Sequence, residues 1–81
     1  SIQALALLNN KFNLAMAEYF AEDLQQSEQD LTSQVKLAFE RITGRTPAVN
    51  DLEALVQYAQ QHDLANVCRL LYNLNEFVYV D

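Results

Sequence analysis

His62 and Asp63 are adjacent, and a carboxylate beside an imidazole can orient that imidazole as a general base. Such a base needs a nucleophile to activate, and the sequence places none beside the pair. The alternative is that Asp63 accepts hydrogen bonds at the start of the following helix while His62 lies at the surface, because Asp is a preferred N-cap residue. We favour this structural interpretation for a junction between two helices.

Cys68 is the only cysteine, so the chain contains no internal disulfide, CxxC zinc site or CxxCH haem attachment. A reactive thiolate requires a positively charged and partly exposed setting. Arg69 follows directly, but consecutive residues of a helix point about 100° apart. Cys68 also falls on an apolar stripe, which predicts that it is a small buried hydrophobic residue.

Acidic residues are frequent in the first half of the chain, where they could suggest a calcium site: Glu18, Glu22, Asp23, Glu28 and Asp30. A calcium-binding loop needs oxygen ligands at alternating positions around a glycine turn, and no glycine lies in this stretch. We therefore predict a solvated helical face here. For the chain as a whole we predict no metal ligand, no cofactor and no catalytic residue.

Eleven acidic residues against five basic ones give a net charge of −6. Nucleic-acid binding needs a basic face, and the scattered basic residues do not supply one. Binding to an anionic membrane is disfavoured for the same reason, and no apolar run approaches the roughly 20 residues of a membrane span.

Arg45 could bind a carboxylate or phosphate. We favour a bond to the last carbonyls of the preceding helix, because a helix C-terminus attracts cations.

The stretch from Ala38 to Leu52 contains the residues that end one helix and begin the next. Gly44 and Pro47, the sole glycine and the sole proline, lie three residues apart. Glycine readily adopts the left-handed conformation that ends a helix. Thr46 suits an N-cap and Pro47 suits a first helical turn. The pattern predicts a helical hairpin, with helices over about residues 28–43 and 47–61.

Apolar residues at spacings of three and four predict an all-α fold, a small bundle of four to five short helices. Besides the hairpin we expect a helix over about 2–9 with a break at Asn9-Asn10, a helix of about four turns after it, and a helix over 64–74 capped by Asp63. The alternative is that the first two helices are continuous, and we favour the break. Ser27 and Asp30 stand at capping-box spacing before helix 28–43. The predicted buried faces are Phe12, Ala15, Met16, Tyr19, Phe20 and Leu24; Leu31, Val35, Ala38, Phe39 and Ile42; Leu52, Leu55, Val56 and Ala59; and Leu64, Val67, Cys68, Leu71 and Leu74.

The chain ends in a β-branched and aromatic run, Phe77, Val78, Tyr79 and Val80, which suits an extended segment. No other stretch resembles a strand that could pair with it. We expect an extended C-terminal tail that packs on the helices or on a partner. Tyr58 lies off the main apolar stripe of its helix. These five residues are the candidate interaction residues.

Four segments occur in the order that is typical of one known family: ALALLNNKF (4–12), AFERITGRTP (38–47), the helix that follows, and LLYNLNEFVYVD (70–81). The chain resembles the C-terminal part of the planctomycete-type domain of unknown function found in large bacterial proteins, often beside cytochrome c-like domains. The resemblance implies a natural C-terminus near Asp81, several hundred residues upstream, and an exported parent protein. No catalytic residue can be carried over, because the family's activity is not established. Members of that family tend to carry glutamates in the first turn after this proline. Here the negative charge begins slightly later, at Asp51 and Glu53.

We interpret residues 1–81 as a single helical domain and as the C-terminal fragment of a larger protein. Its expected role is that of a non-catalytic structural or interaction module whose partners are upstream domains of the parent or another protein. The alternative is a fragment of an extracellular enzyme that acts with redox domains or on polymers, and family association alone supports it. An acyl carrier protein would need a serine in an Asp-Ser-Leu motif, and Asn50-Asp51-Leu52 lacks that serine.

Overall fold

The computed structural model describes the backbone of residues 14–80 and the side chains of residues 14–74. The described chain forms four helices, which we number α1 (Leu14–Ser27), α2 (Leu31–Thr43), α3 (Val49–Gln61) and α4 (Leu64–Val80). The all-α prediction is confirmed over this part of the chain, in which no strand occurs. The helix expected over about residues 2–9 and the break at Asn9-Asn10 lie outside the described residues.

Helices α2 and α4 form the centre of the bundle, because each of them packs against the other three described helices. Helices α1 and α3 lie on either side of this central pair and make no contact with each other. Thr32 near the start of α2 and Gln60 near the end of α3 line the same groove, so these neighbouring helices run antiparallel. The predicted helical hairpin around Gly44 is therefore confirmed.

The core is built from small and medium apolar side chains contributed by all four helices. Its members are Ala17, Ala21, Leu24, Val35, Ala38, Ala59, Leu64, Ala65, Val67, Cys68 and Leu71. Alanines let helix axes approach closely, whereas the larger members fill the space between the helices. Gln34 is buried as well, and its Nε2 donates to the carbonyl oxygen of Glu28 at 3.0 Å, which satisfies the amide in the interior.

The α2 helix begins three residues later than the sequence pattern suggested. Asp30, not Ser27, is the N-cap residue, and its Oδ2 accepts a hydrogen bond from the backbone N–H of Ser33 at 2.9 Å. Ser27 belongs to the end of α1, where its hydroxyl donates to the carbonyl of Asp23. Two capping residues three apart compete for one helix start, and the turn after α1 leaves Asp30 in the extended conformation that an N-cap needs.

Gly44 ends α2 as predicted, with a left-handed backbone (φ 74°) and an N–H that donates to the carbonyl of Glu40. The expected start of the next helix is wrong, because α3 begins at Val49 and neither Thr46 nor Pro47 forms its first turn. Ala48 is the N-cap residue, has an extended backbone and provides no side-chain hydrogen bond. Five residues instead of the predicted three connect α2 to α3, and the backbone is extended at Ala48, the last of them.

The buried face of α1 differs from the predicted one. Ala17, Ala21 and Leu24 are buried, whereas Met16 and Tyr19 are exposed, the latter at 74%. The sequence pattern gave weight to the larger apolar residues. The packed structure instead turns the alanines toward the neighbouring helices, where a small side chain permits close approach. Of the predicted face within the described residues, only Leu24 is fully buried and Phe20 packs partly against the core.

Helix α4 is longer than expected and includes the predicted extended tail. Its helical backbone continues from Leu64 to Val80, so the expected extended segment over residues 77–80 is wrong. Adding a residue to an existing helix gains a backbone hydrogen bond, while an isolated extended segment would leave its polar groups without a strand partner. Leu74 was predicted in the core but is 56% exposed, because α4 passes the edge of the bundle there.

Candidate functional site

The junction between α3 and α4 contains the His62–Asp63 pair, and its geometry is that of a helix start. The Oδ1 atom of Asp63 accepts hydrogen bonds from the backbone N–H of Asn66 at 2.8 Å and from its side-chain Nδ2 at 2.9 Å. The imidazole of His62 packs against the ring of Tyr58, with centroids 4.5 Å apart. The capping interpretation of Asp63 is confirmed. Only His62 and Asp63 connect the two helices. The backbone of Asp63 has a positive φ of 141°, which is uncommon for a residue other than glycine.

Cys68 is completely buried on α4, as its position on the apolar stripe predicted. Burial raises the pKa of its thiol to about 12, and the negative charge of Asp63 adds to the effect. Both causes disfavour the thiolate, which is the nucleophilic form. The side chain is therefore a packing residue in the core.

Two of the acidic residues considered for calcium, Asp23 and Asp30, have separate structural partners. Asp23 forms an ion pair with Arg41, in which the Nη1 and Oδ2 atoms are 2.7 Å apart, and this contact joins α1 to α2. Asp30 caps α2, and the hydrogen bonds from Ser33 lower the pKa of its carboxyl. Within the described part of the chain, no group of three or more His, Cys, Asp or Glu side chains is arranged to hold a metal ion.

Arg45 lies in the connection between α2 and α3, and its guanidinium carbon is 5.8 Å from the centre of the Phe39 ring. We expected this side chain to bond the last carbonyls of α2, but its described contact is with the Phe39 ring, and the Thr43 side chain bonds the preceding turn of the helix. The hydroxyl of Thr43 donates to the carbonyl of Phe39 at 2.7 Å and accepts from the N–H of Arg45 at 3.2 Å. A threonine near the end of a helix can form this bond to the preceding turn, which is the signal that we missed.

Of the five candidate interaction residues, the structure describes the side chain of Tyr58 alone. Its ring is partly buried, packs against the core cluster and contacts His62. The side chains of Phe77, Val78, Tyr79 and Val80 lie outside the described ones, although their backbone forms the last turn of α4. Their proposed contacts stay predictions.

Open grooves lie between neighbouring helices of the described bundle, and three of them are defined by described residues. The α2–α3 groove has a volume of about 550 Å³ and is lined by Thr32, Lys36, Thr46, Pro47, Val49, Leu52, Glu53, Val56, Gln57 and Gln60. The α3–α4 groove, about 490 Å³, is lined by Phe39, Arg45, Thr46, Ala48, Asp51, Ala54, Leu55, Leu71 and Leu74. The α1–α4 groove, about 430 Å³, is lined by Glu18, Ala21, Glu22, Gln25, Asp63, Leu64 and Ala65.

Two of these grooves expose apolar side chains that the sequence did not single out as surface residues. Val49 is 74% exposed in the α2–α3 groove, and Leu74 is 56% exposed in the α3–α4 groove. Val49 lies two residues after Pro47 and is the first residue of α3. Polar residues are usual at the start of a helix. An apolar residue at this place was the available signal for a surface contact.

Residues 1–59 match the family described as PSD1, protein of unknown function (DUF1553). The chain belongs to this family. The match includes the segments 4–12 and 38–47 that carried the resemblance, whereas the segment 70–81 lies beyond the matched range. No curated protein and no solved structure gave a match. Membership of the DUF1553 family therefore brings no established activity to this chain.

None of the helices described within residues 14–80 combines the length and the apolar character needed to cross a membrane.

Proposed function

We propose that this DUF1553-family chain is a non-catalytic helical interaction module at the C-terminal end of a larger exported bacterial protein. Its partner is either another domain of that protein or a separate protein. The observation that carries this proposal is the exposure of apolar side chains in the grooves on both sides of α3, at Val49 and at Leu74. Val49 shares its groove with the half-buried Leu52 and Val56, and Leu74 shares the other with the half-buried Leu55. Apolar surface gathered in a groove is typical of a surface that another polypeptide covers.

The titratable side chains support the same proposal, because those with described contacts have structural roles. Asp30 and Asp63 cap helices, and Asp23 pairs with Arg41 on the surface. The thiol of Cys68 is buried, and its pKa is raised away from the range in which a nucleophile works. A module of this kind contributes shape and apolar contact area to its partner.

Tyr58 and the last turn of α4 are the contact points that we propose. Tyr58 lies on α3, which is an outer helix of the bundle and has no contact with α1. The run Phe77–Val80 continues α4 beyond Leu74, which is itself exposed. Tyrosine and phenylalanine contribute much of the free energy of protein–protein association when they become buried.

The location at the end of an exported planctomycete-type protein is supported by the resemblance of residues 70–81 to the ending of that domain. The family match covers residues 1–59, so this placement rests on the resemblance of residues 70–81 alone. The net charge of −6 is consistent with a protein partner in place of nucleic acid.

Site-specific photo-crosslinking in the full-length protein tests the proposal. The photoreactive residue p-benzoylphenylalanine would replace Tyr58, Tyr79 or, as a matched control, Tyr19, which is 74% exposed on the opposite outer helix. The bacterium that produces the protein is irradiated, and crosslinked peptides are identified by mass spectrometry. We expect crosslinks from positions 58 and 79 to polypeptide outside residues 1–81.

A control position that crosslinks as efficiently as positions 58 and 79 would indicate random collisions and would contradict the proposed contacts. The absence of crosslinks from both test positions would contradict the interaction module itself.

A further inference from the structure

The α2–α3 groove has an apolar floor between two polar rims. Pro47, Val49, Leu52 and Val56 form the floor. The last three of these are spaced three and four residues apart, so they form a continuous stripe along α3. A stripe of this kind is complementary to the apolar stripe of another helix, as in proteins that bind an amphipathic helix in a groove.

The length of the groove suits a short helix. From Val49 to Gln60 it follows twelve residues of α3, and the rise of about 1.5 Å between successive residues gives a length of roughly 16 Å, or three helical turns. Its volume of about 550 Å³ is open along this length. An occupant of three turns would place two or three apolar side chains on the floor.

The two rims have opposite charges. Lys36 lies on the α2 rim and Glu53 on the α3 rim, and both side chains are exposed. The ion pair found among the described residues joins Arg41 to Asp23. Neither Lys36 nor Glu53 forms an ion pair with another described residue. An occupant with acidic residues along one flank and basic residues along the other would match both rims at once.

Within the described part of the chain, the first turn of α3 is also exposed. Its N-cap residue, Ala48, provides no side-chain hydrogen bond, and Val49 is 74% exposed directly after it. Helix α1 makes no contact with α3, so among the described helices only α2 and α4 flank α3.

We propose that the α2–α3 groove binds one amphipathic helix of a partner protein, about three turns long, whose apolar stripe is flanked by acidic residues on one side and basic residues on the other. The acidic flank lies along Lys36 and the basic flank along Glu53. This inference rests on the proposed function and names the surface and the kind of partner.

Binding of designed helical peptides to the intact chain tests the charge arrangement. Three fluorescent peptides of roughly 14 residues share one leucine stripe and differ in their flanks, which are one acidic and one basic, both acidic, or both basic. A helix can lie in a groove in either direction, but peptides with two equal flanks mismatch one rim in both directions. We expect the mixed peptide to bind about three- to tenfold more tightly at low salt, with the preference falling at high salt.

Charge reversal provides the decisive comparison. Lys36→Glu makes both rims acidic and should transfer the preference to the peptide with two basic flanks. Glu53→Lys makes both rims basic and should transfer it to the peptide with two acidic flanks. Val49→Glu should weaken binding of every peptide by more than about tenfold, since a charge would lie beneath the apolar stripe. Tyr19→Glu adds the same charge on the exposed surface of α1, outside the three grooves, and as the matched control it should leave binding unchanged.

The proposal is wrong if the three peptides bind equally, if none binds, or if Tyr19→Glu weakens binding as much as Val49→Glu does. Sedimentation of the intact chain tests the competing occupant. A dimer that Val49→Glu converts to a monomer would assign the groove to a second copy of this chain and would overturn the partner helix. Crosslinks from positions 58 and 79 without peptide binding would leave the interaction module standing and remove only this groove from it.

Discussion

The carboxylate of Asp30 and the backbone N–H of Ser33 are joined by a hydrogen bond of 2.9 Å that begins α2. The charged form of Asp30 accepts this bond and lies near the positive end of the helix, and hydrogen bonding to Ser33 lowers the pKa of its carboxyl. The short contact fixes where one of the two central helices starts, so it bears on the packing of the whole bundle.

We predict that Asp30→Ala lowers the melting temperature by several degrees at neutral pH, because the first turn of α2 loses its cap. The pKa of Asp30 is lower in the folded state than in the unfolded state. Its contribution is therefore present above the unfolded pKa and is lost as the pH falls through the folded value. Thermal unfolding of both proteins across the acidic range should show curves that converge at low pH. A difference in stability that persists unchanged to the lowest pH would contradict the role of the charged carboxylate. The control is Ser27→Ala, at the other candidate cap, which should lower the melting temperature less at neutral pH.

We predict that Gly44→Ala destabilises the protein by about 1–2 kcal/mol, because an L-residue with a Cβ is strained at a φ of 74°. A Cβ at this position would meet no atom within 4 Å, so the cost comes from the backbone alone. Gly44→Asn should cost less, since asparagine tolerates the left-handed conformation. Urea unfolding measures both changes, and equal losses for alanine and asparagine would argue against backbone strain as the cause.

We predict that Leu24→Ala destabilises the protein by about 2–5 kcal/mol, because this side chain is fully buried between helices and its removal leaves a cavity. Tyr19→Ala, five residues earlier on the same helix, should stay within about 0.5 kcal/mol of the parent protein, since Tyr19 is exposed. Chemical denaturation of the two variants compares the predicted and the observed face of α1. A larger loss for Tyr19→Ala than for Leu24→Ala would mean that α1 packs through the face suggested by the sequence.

We predict that the thiol of Cys68 reacts with iodoacetamide only when the protein unfolds. Burial raises its pKa to about 12, so the folded protein holds little thiolate at pH 8. Because this pKa is higher in the folded than in the unfolded state, the contribution of Cys68 to stability is complete below the unfolded pKa. It is then lost as the pH rises toward the folded value. Mass spectrometry of the alkylated protein, with and without denaturant, measures the protection, and rapid labelling of the folded protein would show an accessible thiolate.

Several features were predictable because they depend on neighbours in the chain. The left-handed stop at Gly44 follows from the absence of a Cβ, and the cap at Asp63 follows from a short carboxylate placed three residues before an amide N–H that has no partner within the helix. The helical period of the apolar residues predicted the inner faces of α2 and α3. The same periodicity predicted two of the apolar residues on the groove floor, since Leu52 and Val56 belong to the apolar stripe of α3.

Other features depend on which helices become neighbours. Two faces of α1 carry apolar residues, and packing against α2 and α4 selects the one with Ala17 and Ala21, where the helices can approach closely. The choice between Ser27 and Asp30 as a cap depends on how the chain turns between α1 and α2. Intrinsic strand preference favoured an extended ending, yet α4 remains helical to Val80, because strand preference has little effect without a paired strand.

The sequence by itself determined that this chain is helical, where α2 ends, and that Cys68 is a core residue, because these properties follow from backbone preferences and the periodicity of apolar side chains. Only the tertiary structure decided which face of α1 is buried, how far α4 extends, and that Lys36 and Glu53 lie on opposite rims of one groove. The physical reason is that a groove and its charges belong to two helices at once. Their relative position results from the packing of the whole core, which no single segment specifies.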